Sequence, residues 1–147
     1  MGTAGGPEVP EQLVVHASLW ELEQSFLQHG LDASAAYDGR AMQAPWVEHT
    51  RAWIHSAAGV LAHCIVSGTA FVDVDAVVLD GSLERGALAA LIGETAQALK
   101  RYNWEGLWAP TLHTGSIGAD ARALGGALLP LHANFAPDSD IFLKAQA

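Results

Sequence analysis

Two glycine turns carry the groups in this sequence best placed to do chemistry. Asp80-Gly81-Ser82 follows the apolar run Ala76–Leu79, and Gly115-Ser116-Ile117-Gly118 follows the stretch Leu107–Leu112. A turn that leads into a helix can present its backbone N–H groups to an anion. In open α/β sheets, ligands sit at the carboxyl ends of the strands. Asp80, Gly81, Ser82, Gly115 and Gly118 are therefore the candidate pocket wall. Against a phosphate stands Asp80: one like charge at 4 Å costs about 1 kcal/mol in bulk water, and more where screening is poor. Asp120, in the first turn of the following helix, would itself occupy that helix's positive end. The plainer reading makes the first turn a strand-to-helix corner with Ser82 as N-cap, and the second an ordinary loop and cap.

Other reactive residues give weaker patterns. Asp73 and Asp75 form an Asp-x-Asp pair, but a helix-to-strand turn uses aspartate for its own backbone. The seven histidines are His16, His29, His49, His55, His63, His113 and His132. None makes a His-x-x-x-His pair on a helix, so structural or interfacial roles are expected and no metal ligand is assigned. The single cysteine, Cys64, excludes an internal disulfide and a cysteine-based zinc site; it reads as core filler. No Ser/His/Asp spacing marks a nucleophile, and no residue is assigned a catalytic role. Trp46, Trp53, Trp104 and Trp108 read either as core or as one exposed interface patch.

The elements that must hold the two turns follow from periodicity. Ser18 and Glu21 form a capping box, Leu19, Leu22, Phe26 and Leu27 supply an apolar face, and Gly30 is a C′ residue. A helix is expected over about 19–29. Residues 31–44 are small and polar, with a turn at Asp38-Gly39. Pro45 suits a first helical position, and a helix is expected from there to about Phe71. It is apolar nearly all round, which predicts a central place in the domain. Val77, Val78 and Leu79 are apolar without alternation, the pattern of a parallel strand buried on both faces. A helix to about Tyr102 follows, with Leu88, Leu91, Ile92, Ala96 and Leu99 on one side. Leu107–Leu112 is a second strand, with Pro110 marking an edge position or an early strand end. A last helix runs from Ala119 to about Leu129, its Gly125-Gly126 pair suited to close backbone approach and Pro130 kinking or ending it. Ile141-Phe142-Leu143 closes the chain as a short strand. Residues 1–12 are a flexible arm and 13–147 a single domain.

With 147 residues, half of them hydrophobic, the chain can bury a real core. Ala52–Val72 carries Arg51 at its edge and His55, Ser56, His63 and Ser67 within it, so it reads as a core helix rather than a membrane span. No signal-peptide pattern is visible at the start, and a cytoplasmic location fits. The net charge of −9, from seven Lys and Arg against sixteen Asp and Glu, leaves no basic cluster for a phosphate backbone. Direct nucleic-acid binding by this chain is not expected.

The order of pieces from "AHCIVSGTAFVDVDAVVLDGSLER" to "GSIGADARALGGALLPLHANFAPDSDIFLK" resembles the carboxyl-terminal portion of ROK-family proteins. That family groups bacterial sugar kinases with sugar-responsive transcriptional repressors. The helix, acidic turn, strand, glycine turn and helix of residues 50–102 follow the family's order. The resemblance covers about residues 12–144. It implies an α/β fold, helix-rich with a small parallel sheet, like the C-terminal lobe of the actin-like ATPase (ribonuclease H-like) fold. It also makes Asp80, Gly81, Ser82, Gly115 and Gly118 nucleotide-pocket candidates, because the family's turn after the buried strand borders the adenosine pocket.

The departures are as informative. The family's amino-terminal lobe, with its phosphate loop and catalytic aspartate, has no counterpart in this sequence. Glu11 and Gln12 stand where the family's zinc-binding cluster ends, and Val14 stands where a sugar-contacting glutamate sits. No zinc or other cofactor is expected, and ATP only if the parent is a kinase. The resemblance therefore implies the effector and oligomerisation lobe of a sugar-responsive regulator, without catalysis of its own. Its expected partners are a second copy or a missing amino-terminal lobe, with a sugar effector in the parent. The alternatives are the ATP-side lobe of a ROK-like sugar kinase, or a free-standing α/β interaction module.

Overall fold

The computed structural model describes residues 13–135. The expected arm over 1–12 and the strand through Ile141-Phe142-Leu143 lie outside the described residues. A short helix α1 (Leu13–His16) leads into α2 (Leu19–Gln28). Ser18 is extended, and its Oγ accepts from the Glu21 N–H at 3.3 Å, the cap read from sequence. Among the described residues the reciprocal bond, from the Ser18 N–H to the Glu21 carboxylate, is not made, and Glu21 Oε2 is buried without a hydrogen-bond partner. At the other end Gly30 takes φ +72°, Leu31 N–H donates to Phe26 O and Gly30 N–H to Leu27 O. That is a Schellman stop, in which only glycine enters the left-handed region without cost. Leu22 and Phe26, both fully buried, form the α2 side of the core.

Residues 31–46 are more ordered than their small, polar composition suggests. Two 3₁₀ segments, Ala33–Tyr37 and Gly39–Met42, are capped by Asp32 and Asp38. Arg40 ties them together, reaching Asp32 and Asp38 carboxylates at 2.7 Å each and lying over the Trp46 ring at 5.6 Å. Hydrogen bonding to Arg40 first, then to Ser34, holds the Asp32 carboxyl down at about 2. Arg40 likewise lowers Asp38.

Helix α3 (Val47–Phe71) starts two residues later than Pro45 implied. It buries one stripe: Thr50, Trp53, Ile54, Ala57, Ala58, Ala62, Ile65 and Thr69. Thr50 and Thr69 satisfy their hydroxyls on the carbonyls of Trp46 and Ile65. The expectation of burial all round is corrected. The opposite side, with Arg51, His55, Ser56, Gly59, His63, Cys64 and Ser67, is exposed, so Cys64 is not core filler. By length and composition α3 passes as long and apolar enough to cross a bilayer, with mean hydropathy 1.3 over its best window. Its packed stripe and polar outer side are those of a helix lying on a core.

Strand β1 (Ala76–Leu79) pairs in parallel with β2 (Thr111–Thr114), in the register Ala76↔Thr111 to Leu79↔Thr114. Between them runs α4 (Arg85–Leu99), giving the expected βαβ order in a helix-rich α/β domain. Two details differ from expectation. Helix α4 is capped by Glu84, whose Oε2 accepts from Ala87 N–H at 2.9 Å, and not by Ser82. Leu83 is buried in the core, and Glu84 after it is still extended, which delays the helix past Ser82. Strand β2 begins only after Pro110, because Thr111 supplies the first ladder N–H, to Asp75 O at 3.0 Å.

The sheet is not buried on both faces. Val77 and Leu79 turn toward the helices, while Ala76 and Val78 face away and Val78 is 63% exposed. A run of three apolar residues fits a two-sided strand, but the described chain supplies a helical layer on one face only. Helix α5 (Ala121–Phe135) does not form the second layer. Its residues 121–132 are exposed, and among the described residues no atom beyond the helix's own local backbone lies within 4 Å of a Cβ placed at Gly125 or Gly126. The expected close approach is not made among the described residues. The helix also runs through Pro130 instead of ending at it.

Candidate functional site

At the carboxyl ends of β1 and β2 the two glycine turns meet, and Asp80 joins them. Gly115 N–H closes the ladder on Leu79 O at 2.8 Å, which brings the second turn across the first. The Asp80 carboxylate then accepts from four donors. Its own neighbour Gly81 gives an N–H at 2.8 Å and Ile117 gives one at 2.9 Å. Gly118 N–H bridges both oxygens at 3.0 and 3.2 Å, and Arg85 Nη1 donates at 3.1 Å. Arg85 Nη1 also donates to Gly115 O at 3.0 Å, so the guanidinium seals the same junction.

Both glycines of the second turn are required by this contact. A Cβ at Gly115 would stand 2.3 Å from Asp80 Cβ. Gly118 has φ +61°, and a Cβ there would meet the Arg85 guanidinium. The amide of Gly118 first, then those of Gly81 and Ile117 and the side chain of Arg85, hold the Asp80 carboxyl down at about 2.

This arrangement limits the chemistry. Two carboxylate oxygens offer about four acceptor positions, and the donors just named use them. A carboxylate ionised this far below neutrality is a poor general base, whose useful pKa lies near working pH. The Ile117 and Gly118 amides, which an anion at this turn would need, are turned to an internal carboxylate. Of the five candidate pocket residues, the structure brings Asp80, Gly81, Gly115 and Gly118 together. It leaves Ser82 exposed at the edge of the turn. Asp120 ends a 3₁₀ turn (Gly118–Asp120) ahead of α5.

Arg85 is a member of this cluster that carries no sequence motif. A signal for it exists: a cation in the first turn of a helix sits at the unfavourable end of the macrodipole, which implies a local anionic partner. Asp80, five residues earlier, is that partner.

The described depressions lie elsewhere. One, of about 460 Å³, runs between α4 and the amino end of β2, lined by Ile92, Ala96, Leu99, Trp104, Pro110 and Leu112 among others. A second, of about 570 Å³, lies between α3 and α4, with Arg51, His55, Glu94 and Gln97 at its rim. A third, of about 380 Å³, opens beside Phe71, Asp73, Leu107 and Trp108.

The other sequence candidates disperse. Among the described residues no three His, Cys, Asp or Glu side chains gather as a metal group. His29 and His49 touch ring to ring at 4.0 Å, His55 Nδ1 is 3.8 Å from Glu94, and His113 pairs with Thr111 at 3.0 Å. Of the five tryptophans, the four named above do not form one patch. Trp53 is buried, while Trp46 and Trp104 are partly covered and donate to the Asp32 and Leu99 carbonyls. Trp108 is 81% exposed.

No family model, no curated protein and no solved structure matches this chain.

Proposed function

We propose that this chain is a non-catalytic association lobe, the effector and oligomerisation part of a sugar-responsive regulator of the ROK kind, working in the cytoplasm. The observation that carries the reading is the Asp80 junction. Where an ATP-side lobe would keep amides free at the strand ends for phosphate or adenosine, this chain commits those of Gly81, Ile117 and Gly118 to its own carboxylate. Two further features favour association over catalysis. The carboxyl ends of the strands carry a closed clamp, and two of the depressions lie toward their amino ends. The outer sheet face exposes Val78, and α5 exposes Leu124, Leu128, Leu129 and Leu131.

The test is ATP-dependent phosphorylation of a panel of hexoses, run beside sedimentation of the same protein. The reading expects no turnover and a concentration-dependent oligomer. Sugar phosphorylation above a no-enzyme control would replace it with the kinase reading. A monomer that neither associates nor binds a sugar would leave only a small interaction module.

A further inference from the structure

We propose that the face carrying Phe71, Val72 and Trp108 is a two-fold contact between two copies of this chain; the inference rests on the association reading above and names its surface. Phe71 is 90% exposed, Trp108 81% and Val72 61%; the first two are the most exposed large apolar side chains among the described residues. They stand on neighbouring segments, the end of α3 and the lead-in to β2, around the third depression. Exposed aromatics grouped this way are the residue types that anchor interfaces.

Three observations select a second copy as the occupant. The face holds both a projection, the two aromatic rings, and a hollow of about 380 Å³ beside them. A two-fold contact requires such self-complementarity, since each copy inserts into the other. The area is sufficient. An aromatic buries about 150–250 Å², so two from each copy remove about 600–1,000 Å² before Val72 and Leu107 are added. A specific interface needs about 1,000 Å².

The charges also match. The chain carries a net −9, so two copies repel unless the contact pairs opposite signs. Asp73 lines the depression, with Asp75 and Glu105 close in sequence to its walls. Lys100 lines the first depression, together with Trp104, Pro110 and Ala109, the residue next to Trp108, and Arg101 follows it. Lys100-Arg101 is the one adjacent pair of cations in the sequence. None of these five charged residues makes an ion pair with a described residue, whereas Arg40 and Arg85 are held within the chain. Across a two-fold axis the cations of one copy meet the acids of the other.

The experiment is sedimentation equilibrium up to about 100 µM, with far-UV circular dichroism as the folding control. The wild-type chain is expected to dimerise. Phe71→Ser with Trp108→Ser is expected to weaken dimerisation by about thirtyfold or more without changing the dichroism. Lys100→Glu with Arg101→Glu, and separately Asp73→Lys with Asp75→Lys, each place like charges across the axis and are expected to be monomeric. Their equal mixture is expected to recover a dimer, because opposite charges then meet at both ends of the contact. A dimer that survives the double serine substitution overturns this surface and leaves the association reading standing. A mixture that stays monomeric overturns the two-fold charge pairing. A wild-type chain that stays monomeric overturns both the surface and the association reading.

Discussion

Replacing Gly115 with alanine probes the junction of the two turns through a single methyl group. The new Cβ would lie 2.3 Å from Asp80 Cβ, where ordinary contact begins at 3.4 Å. The two turns must therefore separate by about 1.1 Å. The Asp80–Ile117 bond, now 2.9 Å, would stretch to about 4 Å, beyond hydrogen-bonding range. Gly115 does not occupy the left-handed region, so alanine carries no backbone penalty of its own and the cost is the clash. Overpacking of this kind costs about 1–3 kcal/mol. For a chain of this size that lowers Tm by about 2–12 °C. The control is the same substitution in an Asp80→Gly background, which removes the three atoms nearest the new Cβ. Thermal melts of the four proteins complete a double-mutant cycle. Gly115→Ala should cost little in the Asp80→Gly background, leaving a coupling well above about 0.5 kcal/mol, the scatter of independent sites. Equal losses in both backgrounds would refute the junction as described.

Three further outcomes follow from the same structure. Asp80 is ionised at a lower pH folded than unfolded, so its stabilisation is complete above about pH 4. It is lost as pH falls toward 2; acid melts of the wild-type chain should show this loss, and Asp80→Asn should flatten that part of the profile. Phe26→Ala empties a fully buried site between α2 and α3 and should cost about 3–5 kcal/mol in urea unfolding. Removing the Ser18 hydroxyl with Ser18→Ala should cost about 1 kcal/mol and raise amide exchange at Glu21, whose N–H it accepts.

Local rules read much of this fold from sequence. Helix α2 was legible at both ends, because Ser18 and Gly30 act on backbone groups within a few residues of themselves. Strand β1 was legible as a parallel strand before a helix. What failed depended on distant neighbours. Whether Val78 is buried depends on a second layer, and no local pattern shows that the described chain lacks one. The same holds for Cys64 and Gly125, whose surroundings are set by which helix faces find partners. Ser82 lost the cap to Glu84 because Leu83 is drawn into the core, a tertiary pull that a capping rule does not contain. The candidate site was half legible. Asp80 was readable as hostile to phosphate, and the Ile117–Gly118 turn as a source of amides. That one satisfies the other across 37 and 38 residues became visible only once β1 and β2 were paired.

If Asp80 occupies the strand-end amides, no anion can reach them. The most direct test follows the Ile117 and Gly118 amide resonances during titration with ATP and magnesium to about 10 mM, a range that would expose even the weakest useful affinity. Neither resonance is expected to move in the wild-type chain. Saturable shifts of both, with Asp80 intact, would contradict this.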